Sequence, residues 1–318
     1  HREIRYDAVY QFSQPELLGL RRHLTELPPV VLHPQVHAAG ELRWHRNESV
    51  LSAGLEPAWK RATVRAVLTA RAAIQRRDLA LAAGIVAASE LHAGLLVADS
   101  RAEQGRLHVV PNPIDLTFFA PRPAARAPGP HAPVQPVQRI VFVSRLSVRK
   151  GVEMVAELSR RLSDLRGAVS IEIVGFPTGW SDYSGLIKTL DPMIVTHAGQ
   201  LSGPDLLHRY QSADLCVVPS HYEPFGLTAA ESLACGTPVV ASDAVGAVEN
   251  LDATCCVRFA AGDAAGLEAA VRCMLTRMRI NPSGVRADAR KQAVARFDPR
   301  LAGRRLAQII RQVTRAGS

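Results

Sequence analysis

His221-Tyr-Glu-Pro-Phe-Gly-Leu-Thr-Ala-Ala-Glu231 runs on into Ser232-Leu-Ala-Cys-Gly-Thr-Pro-Val-Val-Ala-Ser-Asp243. The run reads as loop, helix and buried strand. Ahead of it, Ala213-Asp-Leu-Cys-Val-Val-Pro219 is a short apolar run of the kind a parallel sheet buries on both faces. Pro224 and Gly226 break the chain, and Leu227 to Ala234 is strong helix-forming sequence. Gly236 and Pro238 end that helix, and Val239-Val240-Ala241 opens the next strand. A loop at the C-terminal edge of a parallel sheet that opens into a helix is where open α/β sheets hold ligands.

The residue types in this loop suit an anionic, hydroxylated ligand. Free amides around Gly226, Leu227 and Thr228 point at an anion, and the helix dipole favours a negative one. Gly226 lets a phosphate approach the backbone. Glu223 stands in the loop and Glu231 one turn beyond Leu227. A carboxylate there accepts two hydrogen bonds and suits vicinal hydroxyls such as a ribose diol. Two carboxylates flanking an anion cradle describe a nucleotide-sugar site better than a metal site, because the anion has its own donors. For a lone pair of glutamates the plainer reading, a solvated helix start, would stand.

Three further stretches accompany it. Phe142-Val-Ser-Arg145-Leu-Ser-Val-Arg-Lys150-Gly151 follows a strand, Val109-Val-Pro-Asn112-Pro-Ile-Asp115 closes the first half, and Val245-Gly246-Ala-Val-Glu249 follows the opening stretch. Together with Glu223-Pro-Phe-Gly and Glu231, these resemble, in order, the motifs of the retaining group 1 glycosyl transferases, glycosyltransferase family 4, of the GT-B fold. Pro113 stands where the family usually has Gly, and the last motif is degraded. The resemblance spans roughly Ser89 to Glu249. It implies an α/β, GT-B fold: two Rossmann-like, doubly wound domains facing a cleft. It also implies roles. Arg145 and Lys150 hold the donor diphosphate, Glu231 the ribose hydroxyls and Glu223 hydroxyls of the sugar. The amides of Phe225, Gly226, Leu227 and Thr228 line the sugar and phosphates. A histidine after a strand of the first domain faces the transferred sugar; His37 is favoured over His33. The catalytic set is therefore Glu223, His37, Arg145 and Lys150.

Composition agrees with such a protein. The chain has 318 residues, 47% of them hydrophobic, which suits two globular α/β domains. Abundant Ala and Arg suggest a bacterial source. The formal net charge of +9 permits nucleic-acid, anionic-membrane or anionic-substrate partners, although arginine-rich helix faces account for much of it. No aromatic-basic motif supports a nucleic-acid role. No apolar run is long enough to span a bilayer. Cys216, Cys235, Cys255, Cys256 and Cys273 show no metal-ligand spacing with histidines and read as reduced, mostly buried thiols of a cytoplasmic protein.

In chain order the first half reads as strands at Tyr6–Phe12, Pro28–His33, Gly84–Ser89 and Arg106–Val110. Helices are expected from Pro15 to Leu27, Pro57 to Ala80 and Glu90 to Val97, and His33 to His45 reads as a histidine-rich loop carrying Glu41 and Trp44. Alternating strands and helices predict a parallel sheet. The opening strand and Gly-rich loop of the resembled family are not found, so the first domain is expected to be incomplete, the natural chain starting before His1 or the domain being cut down. The expected organisation is an acceptor-side domain over 1–118, a Pro/Ala-rich linker over 119–138, a donor domain over 139–298 and a terminal helix over 299–318 crossing back to the first domain.

The implied function is a hexosyltransferase that moves a sugar, with retention, from a nucleotide-diphosphate sugar to an acceptor hydroxyl. It uses no cofactor and no metal; fixed positive groups stabilise the leaving diphosphate. Glu223 positions the sugar and is not a nucleophile. The rival readings are a nonenzymatic nucleotide-sugar-binding remnant and a GT-B epimerase or phosphorylase. The expected partners are the donor and an acceptor of unspecified class. The expected location is the cytoplasm; ordinary surface amphipathicity accounts for the basic helix bearing Arg61 and Arg65, with peripheral contact on the inner membrane face as the alternative reading.

Overall fold

The computed structural model describes residues 6–13, 26–51, 57–100, 103–122, 137–177 and 183–316. The helix expected from Pro15 to Leu27 and most of the linker expected over 119–138 lie outside them. In chain order the strands are β1 (Val9–Ser13), β2 (Val30–Pro34), β3 (Gly84–Ala87), β4 (Leu107–Val109), β5 (Gln138–Val143), β6 (Val169–Val174), β7 (Val195–Gly199), β8 (Leu215–Val218), β9 (Val239–Ser242) and β10 (Cys256–Phe259). The α-helices are α1 (Ala38–Leu51), α2 (Ala58–Leu81), α3 (Glu90–Asp99), α4 (Val152–Arg161), α5 (Ser184–Lys188), α6 (Gly203–Ser212), α7 (Leu227–Ala234), α8 (Ala264–Ile280), α9 (Pro282–Phe297) and α10 (Pro299–Ala316).

Two compact units result. One joins His1–Pro113 to Pro299–Ser318; the other is Ile114–Asp298. In the first unit four parallel strands lie in the order β1-β2-β3-β4. β2 and β3 are buried along their whole length, so their apolar runs do not alternate. Val30, Leu32 and Ile85 pack with Leu79 of α2 and Leu96 of α3. Val31 and Val86 pack with Ala302, Ile309 and Val313 of α10. Covering both faces removes the sheet's apolar surface from water, at roughly 1.5–3 kcal/mol per fully buried Val, Leu or Ile side chain.

The expected loop from His33 to His45 is wrong in its second half, because α1 begins at Ala38 and carries Glu41, Trp44 and His45. The start of α1 is held from another helix. The Ala38 N–H donates to Oε1 of Gln75, 2.8 Å away on α2, and the Gln75 amide donates to the Val36 carbonyl at 2.7 Å. The cap is tertiary, and the residues around His37 carry no sign of it.

The second unit is a six-stranded, wholly parallel sheet in the order β10-β9-β8-β5-β6-β7. The chain winds outward from β5 to β7, then returns to the other side of β5 at β8 and winds outward again. The order reverses between β5 and β8, and the C-terminal ends of these two strands flank the crevice that such a reversal opens. β8 and β9 are buried throughout. The unit begins at Ile114, ahead of the boundary expected at 118. The Ile114 N–H donates to the Phe297 carbonyl at 2.9 Å. Arg290 of α9 donates to the carbonyls of Leu116 and Phe119 at 2.9 and 2.7 Å, fixing residues 114–120 on this unit.

Candidate active site

Two loops meet at the β5/β8 reversal. The first leaves β5 at Ser144 and returns beside β6, where the Leu146 N–H donates to the Phe176 carbonyl at 2.9 Å. It tightens into a 3-10 turn over Val148–Lys150 and enters α4 through Gly151 at φ +79°. A Cβ on Gly151 would run into the Pro219 backbone carbonyl, so only glycine lets this loop lie against the end of β8. That close approach sets Lys150 opposite Glu223.

The second loop, Pro219 to Gly226, is held like a short extra strand. The Glu223 N–H donates to the Ala244 carbonyl at 3.1 Å, and the Glu223 carbonyl accepts from Gly246 at 3.1 Å. The Phe225 carbonyl accepts from Ala247 at 2.6 Å. The Val245-Gly246-Ala247 stretch thus supports the loop from below. His221 is fixed on the other side: its N–H donates to the Arg149 carbonyl at 2.9 Å and its Nε2 lies 2.5 Å from Glu153 of α4. The chain then turns at Gly226, φ +104°, where a Cβ would stand 2.7 Å from Cγ1 of Val245.

The turn leaves the amides of Gly226, Leu227 and Thr228 without an acceptor among the described residues, and no side chain caps α7. A helix N-terminus with open N–H groups attracts an anion through both hydrogen bonding and the dipole. The Phe225 ring is not available to a ligand, since it is 5% exposed and packs edge-on against Phe297, centroids 5.8 Å apart. Its backbone alone can serve. Leu227 is half exposed at the first helical position. The Thr228 hydroxyl donates to the Val143 carbonyl at 3.2 Å, tying α7 to the end of β5.

The charged groups cluster on this frame. Lys150 Nζ is ion-paired with Oε2 of Glu223, and both side chains are mostly buried. Arg145 is exposed and has no ion-pair or hydrogen-bond partner among the described residues. Glu231, in the second turn of α7, accepts from the Tyr210 hydroxyl at 2.8 Å. Burial pushes its carboxyl above the usual range, and the bond from Tyr210 opposes that shift. Nothing in the residues around Tyr210 or Glu153 marks either one; each acts through a partner far away in the chain. Among the described residues no three His, Cys, Asp or Glu side chains gather within metal-ligating reach.

His37 and His33 belong to the first unit, at and just beyond the end of β2. His37 is 1% exposed, with Nε2 3.5 Å from Asp99, and burial depresses its pKa to about 4. His33 is 3% exposed, faces the Tyr10 hydroxyl at 2.6 Å through Nδ1, and is likewise depressed by burial to about 4. Both are therefore uncharged at neutral pH. Of the five thiols, four are buried as expected, and Cys273 is exposed.

The profile of the family described as "Glycosyl transferases group 1" matches residues 137–277. Among curated proteins, a D-inositol 3-phosphate glycosyltransferase of Mycobacterium sp. (strain KMS) is 35% identical over 166 residues, 50% of this chain and 36% of that protein. The protein of the same description from Geodermatophilus obscurus is 31% identical over 237 residues, 68% of this chain and 51% of its own length. The chain thus spans about half the length of the curated relatives it matches, or less. Among solved structures, the sucrose-phosphate synthase of Thermosynechococcus elongatus superposes with a TM-score of 0.75 at 22% identity, over 98% of this chain and 74% of that one. Anabaena HepE, solved with UDP and glucose, gives 0.68 at 18% identity, over 95% and 77%. These two share the GT-B fold with this chain.

Proposed function

We propose, from the match of residues 137–277 to the profile of the group 1 glycosyl transferases, that this chain moves a hexosyl group, with retention of configuration, from a nucleotide-diphosphate sugar to an acceptor hydroxyl. The observation that carries the proposal is the gathering, at the β5/β8 reversal, of an open helix N-terminus, Lys150, Arg145, Glu223 and Glu231.

The chemistry follows from the parts. The diphosphate lies over the amides of Gly226 to Thr228, with Arg145 and Lys150 opposing the charge that builds as the sugar leaves. Preorganised donors of this kind are each worth about 3 kcal/mol of barrier. Glu231 takes the ribose diol. Glu223, freed from Lys150 as that lysine turns to phosphate, accepts from hydroxyls of the hexose and positions it. The acceptor proton passes to the leaving phosphate, so no ester forms on Glu223. UDP is the first nucleotide to try, since the HepE structure holds UDP. A hydroxyl of a polyol phosphate is the first acceptor, since the curated relatives act on D-inositol 3-phosphate. His37 or His33, neutral in the ligand-free protein, is assigned to the sugar side.

We place the protein at the cytoplasmic face of a membrane through α2, which exposes Trp59 and Val67, and also exposes Arg65. Charge reversal at Arg61 and Arg65 is expected to abolish co-sedimentation with anionic vesicles; no sedimentation of the unaltered protein would remove this part of the proposal. For the reaction itself, incubation with UDP-hexose, with and without D-inositol 3-phosphate, should give UDP and an α-glycoside only when acceptor is present. An epimerised donor formed without acceptor would contradict transfer.

A further inference from the structure

The ribose carboxylate, Glu231, is held from behind by a residue outside the four motifs. Tyr210 lies in the last turn of α6 and is fully buried, one of the largest side chains with no exposure. Its backbone carbonyl accepts from the Thr237 hydroxyl at 2.6 Å, which fixes the end of α6 against the turn that follows α7. Its hydroxyl donates to Oε2 of Glu231 at 2.8 Å. Among the described residues no other group bonds that carboxylate, so Oε1 is left for a ligand. The other ionisable neighbours are the thiols of Cys216 and Cys235, which burial holds protonated with pKa values of about 12. Neither replaces a phenol as donor to a carboxylate, since a thiol is a weak one.

Glu231 has three side-chain torsions and, without a second anchor, many orientations. A diol needs two acceptor directions at once, so an unanchored carboxylate loses part of its selectivity to motion. We propose that Tyr210 is a positioning residue for the nucleotide: its hydroxyl locks one oxygen of Glu231, so that the other reads the ribose 2′-hydroxyl, and the enzyme prefers ribonucleotide over deoxyribonucleotide donors through this contact. The inference rests on the donor site proposed above.

The test is calorimetric titration of UDP, 2′-deoxy-UDP and inorganic pyrophosphate into the unaltered chain, Tyr210→Phe, Glu231→Asp and Thr237→Val. The unaltered protein should prefer UDP to its deoxy analogue about tenfold, the worth of one hydrogen bond to a charged group. Tyr210→Phe removes a single oxygen and should bring that preference close to one. Glu231→Asp keeps the charge but withdraws it from the phenol, and should do the same, which keeps the idea testable if the phenylalanine variant does not fold. Pyrophosphate, held through Arg145, Lys150 and the α7 amides, should titrate alike in all four proteins. Thr237→Val loosens the same helix end while sparing the phenol, and should leave the preference intact. Retained preference in Tyr210→Phe or Glu231→Asp, or its loss in Thr237→Val, overturns the role of Tyr210. If the unaltered protein binds neither UDP nor pyrophosphate, the donor site itself fails, and this inference with it.

Discussion

Acidification should unfold the first unit through three buried histidines. His33, His37 and His92 are 3%, 1% and 0% exposed, and burial lowers their pKa values to about 4, 4 and 3 from 6.5. The charges facing them do not reverse this: Asp99 pulls His37 upward, while Arg43 and Arg76 push it down, and the neighbouring histidines push His92 down. Above about pH 6.5 these rings are neutral in both folded and unfolded chains, and the stabilisation they permit is complete. As pH falls below that value, the unfolded chain takes up protons that the folded unit refuses. Stability is therefore lost from about pH 6.5 downward and levels off only near pH 4 and below. At about pH 5 each ring has forfeited about 1.5 units, or roughly 2 kcal/mol, and the three together about 6 kcal/mol. That is comparable with the whole stability of a domain, about 5–15 kcal/mol. Trp44 and Trp59 report on this unit, and Trp180→Phe silences the tryptophan of the other. Urea unfolding followed by fluorescence should show the first-unit midpoint falling by about 3 M between pH 7.5 and pH 5, for a slope of about 2 kcal/mol/M. A midpoint constant to within about 0.3 M would refute the reasoning, because it would mean that the rings already accept protons in the folded unit.

Other consequences are local. Gly226→Ala meets Val245 Cγ1 at 2.7 Å and sits at φ +104°, so it should cost about 2–4 kcal/mol in thermal unfolding and weaken nucleotide binding, since the α7 cradle must shift. Gln75→Leu removes both bonds that hold the start of α1; we expect about 1–3 kcal/mol of destabilisation and loss of helical circular dichroism from α1. In the native protein Cys273 alone should react rapidly with an aromatic disulfide, the other four thiols following only on denaturation; prompt reaction of Cys216 or Cys235 would contradict the packing beneath α7.

What could be read from the residues was what they specify locally. α7 and β8 have the bounds that Leu227 to Ala234 and Leu215 to Val218 suggest, because Gly226 and Gly236 punctuate one and an unbroken apolar run defines the other. The start of α1 was hidden because its cap, Gln75, comes from another helix. α9 begins at Pro282 because the Asn281 side chain caps it, accepting from the Gly284 N–H at 3.0 Å. The donor residues could be named from their motifs, but their contacts could not. Lys150 and Glu223 are 73 positions apart and meet only because β5 and β8 are neighbours. Tyr210 is 21 positions from Glu231 and stands behind it only because α6 packs against α7.

The central claim is a metal-independent donor site built from Arg145, Lys150 and the start of α7. Its most direct test is calorimetric titration of UDP, GDP and ADP, with and without chelator, into the unaltered protein and Lys150→Ala. The account predicts that one nucleotide binds, that chelator leaves its affinity unchanged, and that the alanine variant loses about 3 kcal/mol of it, roughly a hundredfold. Binding that disappears with chelator, or that survives unchanged in Lys150→Ala, would contradict it.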